Sequence, residues 1–273
     1  VPALALRKVL AMVNRDEARI SDRDDDRRQR SFEIRALGDI DMSTAQRVWF
    51  TDGYDFGAAY LSSVAVRTVN FGARASGRPL MASGEEVKSV GFTVCEGCGQ
   101  LDSMANENKP TDHRPWCAYR KALTENNRTL VLTHTLDTQG ALLRLPKALL
   151  VGDSYAVPSL EAAIRLGLTR RLGGEPTHIG ILRTEAPQTE GGVASALLLH
   201  DQVPGGTGYL AELAEPANVW KILWDAWETV RSCACKTDSV NACSNCILPF
   251  EHPGQMVSRA SAERALELIL TAG

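Results

Sequence analysis

At 273 residues and 44% hydrophobic content, the chain is long enough for one large domain or two modest ones with a real core, which excludes disorder as its default state. Its 30 Lys and Arg against 33 Asp and Glu leave a net charge of −3, so there is no global basic field and any nucleic-acid contact has to be local. No apolar run approaches the roughly 20 residues that span a bilayer, and Val1-Pro2-Ala3 lacks the layout of a signal peptide, so the expectation is a soluble piece of a longer chain in a reducing cytoplasm.

In chain order, residues 16–30 interleave Asp22, Asp24, Asp25 and Asp26 with Arg23, Arg27, Arg28 and Arg30, a run that belongs in water. Over residues 31–71 short, moderately alternating stretches with β-branched residues, such as Phe32-Glu33-Ile34 and the run 64–69, predict strands. Gly- and Ser-rich residues 72–86 read as a linker before a strand at 90–94. Residues 129–135 and 141–145 predict a hairpin turning at Asp137-Thr138-Gln139-Gly140. A helix is expected over 159–172, with Leu160, Ala163, Ile164, Leu166 and Leu168 on one face, Pro158 before it and Ser159 as its N-cap. Two strands at 179–182 and 193–199, one long helix from about 207 to 230 and a last helix at 260–270 complete the order.

Cysteine spacing carries the chemistry. Cys95 and Cys98 form a C-x2-C pair, followed after 14 residues by His113 and Cys117 as H-x3-C, four side chains suited to grip a tetrahedral Zn²⁺. Cys233-x-Cys235 and Cys243-x2-Cys246 make a second set, of four thiolates, which an iron–sulfur cluster could also occupy; Lys236 can offset part of their charge. Together the two sets use all 7 cysteines, a spacing unlike a secreted disulfide scaffold. With four protein ligands and no open position, both sites read as structural, and no catalytic residue is assigned.

Other motifs resemble enzyme parts without their context. Asp16-Glu17-Ala18-Arg19 lacks the apolar strand that precedes a helicase acidic box, and no G-x-x-x-x-G-K-[ST] phosphate loop exists, so a P-loop motor would lie outside the chain. Gly206-Thr207-Gly208-Tyr209-Leu210-Ala211 fits G-x-G-x-x-A, but no acidic ribose ligand follows; a tight turn is the simpler reading, and amides from Gly205 to Gly208, Thr207 included, are an option for holding a DNA phosphate. His200-Asp201 could be an acid/base pair, although a hydrogen-bonded turn Asp is the plainer reading. Trp220, Trp224 and Trp227 have helical spacing and read as core rather than as a stacking platform. Arg114, Arg120 and Lys121 flank the first cysteine set as phosphate contacts or as an ordinary solvated rim.

The run from His200 through Leu210, followed by the C-x-C and C-x2-C cysteines and Arg259, resembles the MrfA-type zinc-binding domain, domain-of-unknown-function family 1998, over roughly the last 150 residues. The resemblance implies a turn built on Asp201, Pro204, Gly205, Gly206 and Gly208 before a long helix, and zinc at Cys233, Cys235, Cys243 and Cys246; His252 stands where relatives often have Asn. It further implies the C-terminal region of a DExH helicase that repairs DNA, or a DrmB-like partner subunit in DISARM-type phage defence. The expected architecture is mixed α+β: a β-rich part at 1–89, a zinc ribbon at 90–121 and a zinc-closed α/β domain at 122–273. Two Zn²⁺ as cofactors and DNA and helicase motor domains as partners complete the expectation.

Overall fold

The computed structural model describes residues 3–5, 32–51, 54–73, 80–82, 85–87, 89, 91–100, 113–121, 127–174, 176–187, 192–237, 240–250 and 256–271. The charged run 16–30, the Asp16 box, Val90, His252 and much of the 72–86 linker lie outside them. Strands are β1 (Ala3–Ala5), β2 (Phe32–Asp39), β3 (Ala45–Phe50), β4 (Gly57–Ala73), β5 (Leu80–Ala82), β6 (Glu85–Val87), β7 (Phe92–Cys95), β8 (Asn127–Arg144), β9 (Ile179–Pro187) and β10 (Val193–Asp201). Helices are α1 (Ala156–Leu172), α2 (Tyr209–Leu213), α3 (Pro216–Ser232) and α4 (Arg259–Leu270). The class is mixed α+β, as the alternation of strand and helix patterns implied. No described helix is long and apolar enough to cross a membrane.

The chain divides into two compact units, each assembled from separated segments. The first comprises Val1–Leu37 and Arg67–Thr135. There β1 pairs parallel with β8 and β7 antiparallel with it, so that Cys95 lies opposite Asn127. A small core of Val69, Phe71, Val87 and Val131 fills this unit, and the hydroxyl of buried Ser89 donates to the Phe71 carbonyl.

The second unit comprises Gly38–Val66 and Leu136–Gly273. Its strands β8, β10 and β9 run antiparallel in that order, and β3 pairs with β4. Strand side chains alternate between two faces, and here both faces are buried. Leu143, Leu197 and Leu199 join Leu160, Ile164, Leu223 and Leu266 from the helices, while Leu142, Leu182 and Leu198 join Leu61, Val64 and Val66 in a second cluster. Helices α1, α3 and α4 pack on one another. Gly167 makes the closest approach possible: a Cβ there would fall 2.3 Å from the Ile222 carbonyl oxygen.

Three elements differ from the sequence reading. The hairpin expected at Asp137-Thr138-Gln139-Gly140 is absent, because β8 runs straight through it, with Gly140 opposite His200. Its polar residues serve a neighbouring loop instead of a turn, and a Cβ on Gly140 would lie 2.8 Å from Leu198 Cδ1. Helix α1 starts at Ala156, with Pro158 in the first turn, where a missing amide costs nothing, and buried Ser159 accepts from the Ser258 amide at 2.8 Å rather than capping. The long helix breaks into α2 and α3 because Pro216 cannot continue a helix but starts one well.

Candidate metal centres and the glycine turn

Strand β7 delivers buried Cys95 to a knuckle in which the Gly99 amide donates to the Cys95 carbonyl at 2.8 Å and the Cys95 amide to the Gln100 carbonyl at 3.0 Å. Gly97 is needed because a Cβ there would meet the Tyr119 ring at 2.7 Å and Cys117 Sγ at 3.2 Å. Across from the knuckle, a turn closed by the Cys117 amide on the Arg114 carbonyl, 2.9 Å, brings in His113 and Cys117. The donor atoms of Cys95, Cys98, His113 and Cys117 all lie within 4.8 Å of one another. Cys95 and Cys117 sulfurs are 3.7 Å apart, and His113 Nδ1 is 3.6 Å from both Cys98 Sγ and Cys117 Sγ. Ideal tetrahedral Zn²⁺ would set S···S near ~3.8 Å and N···S near ~3.6 Å.

The second cluster closes the helical layer of its unit. Cys233 caps α3, Cys235 lies in the tight turn after it, and a second turn carries Cys243 and Cys246, its amide at 246 donating to the Cys243 carbonyl at 3.2 Å. Sulfur separations are 3.4 Å for Cys233–Cys243 and Cys233–Cys235, 3.8 Å for Cys235–Cys246 and 3.7 Å for Cys243–Cys246. These again match the edges of a tetrahedron about a zinc-sized ion. Behind them, buried Arg259 donates to the Val230 carbonyl at 3.4 Å and to Glu263 at 2.6 Å, while Lys236 approaches Glu263 at 3.8 Å. A cation is thus fixed at the C-terminal turn of α3, where the helix dipole favours it.

The electrostatics call for a cation in each cluster. Burial opposes the Cys98 thiolate, but backbone hydrogen bonds from Arg114 and Gln100 with the His113 and Cys117 groups hold it down to about 6. Backbone bonding at Asn245, joined by Cys233, brings Cys243 to about 7. Their neighbours move oppositely: burial and the adjacent sulfurs push Cys117 and Cys235 up, and burial above all raises Cys246. Neither the three thiolates of the first cluster nor the four of the second can all ionise together without a compensating charge, which a divalent ion supplies. The donor set and its geometry fit Zn²⁺ in both places.

The glycine turn is held from inside. Asp201, 1% exposed, accepts from the Val203 amide at 3.3 Å and from the Thr207 amide at 2.6 Å and hydroxyl. Burial opposes its ionisation, yet the Thr207 and Val203 donors and the nearby His178 hold its carboxyl below the usual range. The Gly205 amide goes to the Asp137 carbonyl at 2.9 Å, that of Gly206 to Val203 at 3.0 Å and that of Gly208 to Gln139 Oε1 at 3.0 Å. Positive φ at Gly205, Gly206 and Gly208 lets the loop curl this tightly. All four amides offered by the sequence as phosphate donors therefore have acceptors within the chain, and the five-residue α2 that follows is too short to present a dipole.

The remaining nominated residues separate. His200 is buried beside Gly180, its ring nitrogen 3.3 Å from the Asp201 carbonyl, and burial depresses its pKa. Trp220 packs on Trp49 and Phe56, as a core residue should, whereas Trp224 is 52% exposed and meets Trp227 in a tilted contact at 5.0 Å, with the Arg231 guanidinium 4.6 Å over the latter. Arg114 is exposed, and Arg120 and Lys121 lie in the tight turn Ala118–Lys121. Sequence reasoning missed Thr138 and Gln139, which hold the glycine turn from β8, and Glu263, which joins Arg259 to Lys236. For Thr138 and Gln139 the one signal is a polar stretch before the apolar end of β8, and nothing in the sequence marks Glu263.

A sheet closed by a helical layer, with a four-cysteine site sealing two helix ends, defines a zinc-binding domain. Residues 160–247 match the family model MZB, the MrfA Zn-binding domain. The match includes the glycine turn and the second cluster; the first cluster lies upstream of it. A solved structure of the DUF1998 helicase MrfA bound to DNA resembles the chain with TM-score 0.44 and 12% identity, covering 89% of this chain and 25% of that one. The chain thus spans a quarter of that helicase's length. No curated protein matches the chain.

Proposed function

We propose that this chain is the zinc-stiffened accessory region of a superfamily 2 (DExH) helicase, guiding DNA while a motor outside these residues turns over ATP, in repair or in anti-phage defence. The observation that carries this reading is the MZB match with its four sulfurs at tetrahedral spacing. Zn²⁺ held by Cys95, Cys98, His113 and Cys117, and by Cys233, Cys235, Cys243 and Cys246, would supply rigidity rather than reaction chemistry, since neither donor set leaves an open position. With the turn amides at 205–208 taken up by the fold, phosphate contacts fall to Arg114, Arg120 and Lys121. The thiolates require a reducing compartment, consistent with cytoplasm.

Fluorescence anisotropy with labelled DNA at two salt concentrations tests the proposal. Affinity should fall as salt rises, by close to one unit of log–log slope per phosphate neutralised. Half-exposed Trp224, beside an open groove of about 400 Å³ lined by Trp220, Lys221, Asp225 and Leu270, favours a second reading, a protein-interaction scaffold in a DISARM-type complex. That reading predicts tight partner binding and no salt-sensitive DNA binding.

A further inference from the structure

We infer that Trp116 is a stacking site for an unpaired nucleobase, with Arg114 contacting the adjoining phosphate. The inference rests on the DNA-guiding reading and adds a residue, a strand state and a contact mode to it.

Trp116 is 66% exposed, the highest exposure of any described aromatic residue. It occupies the four-residue turn from Arg114 to Cys117, closed by the 2.9 Å bond between the Cys117 amide and the Arg114 carbonyl. His113, just before that turn, and Cys117, its last residue, have donor atoms 3.6 Å apart in the first cluster, so one ion would pin both ends of the loop that lifts the indole into solvent. Among the described residues no ring or cation stacks on Trp116, in contrast to Trp227, which Trp224 and Arg231 already flank. A large apolar ring fixed outward forfeits its burial, and a loop already immobilised presents it with little further loss of freedom on binding.

The charge around it selects the ligand. Exposed Arg114 is two residues away, no described carboxylate pairs with it, and residues 113–121 contain Arg114, Arg120 and Lys121 but no Asp or Glu. A flat π-face two residues from an exposed guanidinium matches single-stranded nucleic acid, whose bases offer a face that a paired duplex hides.

The test uses the full zinc-loaded chain and labelled oligothymidylate against a duplex of equal length, with zinc content measured for every variant. Trp116→Leu should weaken single-strand binding by about tenfold to a hundredfold, and Trp116→Phe, which keeps a ring in the same turn, should retain most of the affinity. Duplex binding should change far less, and Arg114→Ala should reduce the salt slope by about one. Equal single-strand affinity for the Leu and Phe variants overturns the stacking site while leaving the helicase-accessory reading in place. Wild-type chain that binds no DNA at either salt concentration overturns both.

Discussion

Asp201 shows how a single residue builds the glycine turn. Its carboxylate accepts two amides and a hydroxyl from Val203 and Thr207 while nearly buried, so its removal leaves three donors unpaired. Asp201→Ala should cost about 2–4 kcal/mol in urea denaturation. The sign of its pH dependence follows from its depressed pKa: the folded chain holds the carboxylate ionised below the unfolded value. The stabilisation is complete above that unfolded value, about 3.9, and is lost as pH falls through the lower folded one. The stability gap between wild type and Asp201→Asn should therefore narrow at the most acid end of a titration followed by circular dichroism; a gap that widens there would contradict the arrangement. This residue and the three glycines after it were legible in the sequence as a turn, because side-chain length and positive φ leave few alternatives. That their amides turn inward was not, because two of the acceptors, the Asp137 carbonyl and the Gln139 side chain, come from a strand some 70 positions earlier in the chain.

Strand β8 and the α1–α3 crossing show where element reading succeeds and fails. The apolar runs at 179–182 and 193–199 mark the cores of strands that continue to Pro187 and Asp201, and the helix patterns before and after the second cluster mark α3 and α4, since burial against one core imposes them. Asp137-Thr138-Gln139-Gly140 has turn composition, yet it continues β8 because its polar groups satisfy a loop that sequence neighbours do not reveal and its glycine clears Leu198. At the helix crossing, α1 and α3 meet at Gly167, where an added Cβ would strike backbone rather than a flexible side chain. Gly167→Ala should lower stability by roughly 1–3 kcal/mol, read from the urea midpoint, with α1 and α3 amides losing hydrogen-exchange protection together. An unchanged midpoint would show that the helices do not approach so closely. Glu263→Gln should expose the clamp behind the second cluster: buried Arg259 loses its charged partner, and protection at the ends of α3 and α4 should fall.

For the whole molecule, the cysteine spacing announced two clusters, and folding brings both sets of donor atoms within 4.8 Å. The division into units was less legible, since each combines segments separated by many residues and local composition does not encode which strands end up paired. Each cluster belongs to a different unit, so their losses should separate. Cys98→Ser should remove one zinc and loosen amides at 92–100 and 113–121, whereas Cys246→Ser should remove the other and loosen the junction of α3 and α4, both read by hydrogen exchange. The central claim, two independent zinc sites formed by these eight side chains, is tested most directly by native mass spectrometry of the purified chain. Two Zn²⁺ per chain, falling to one in each of these variants and to none in the double variant, is the predicted result. A single zinc, iron with sulfide at the four-cysteine site, or no bound metal would contradict it.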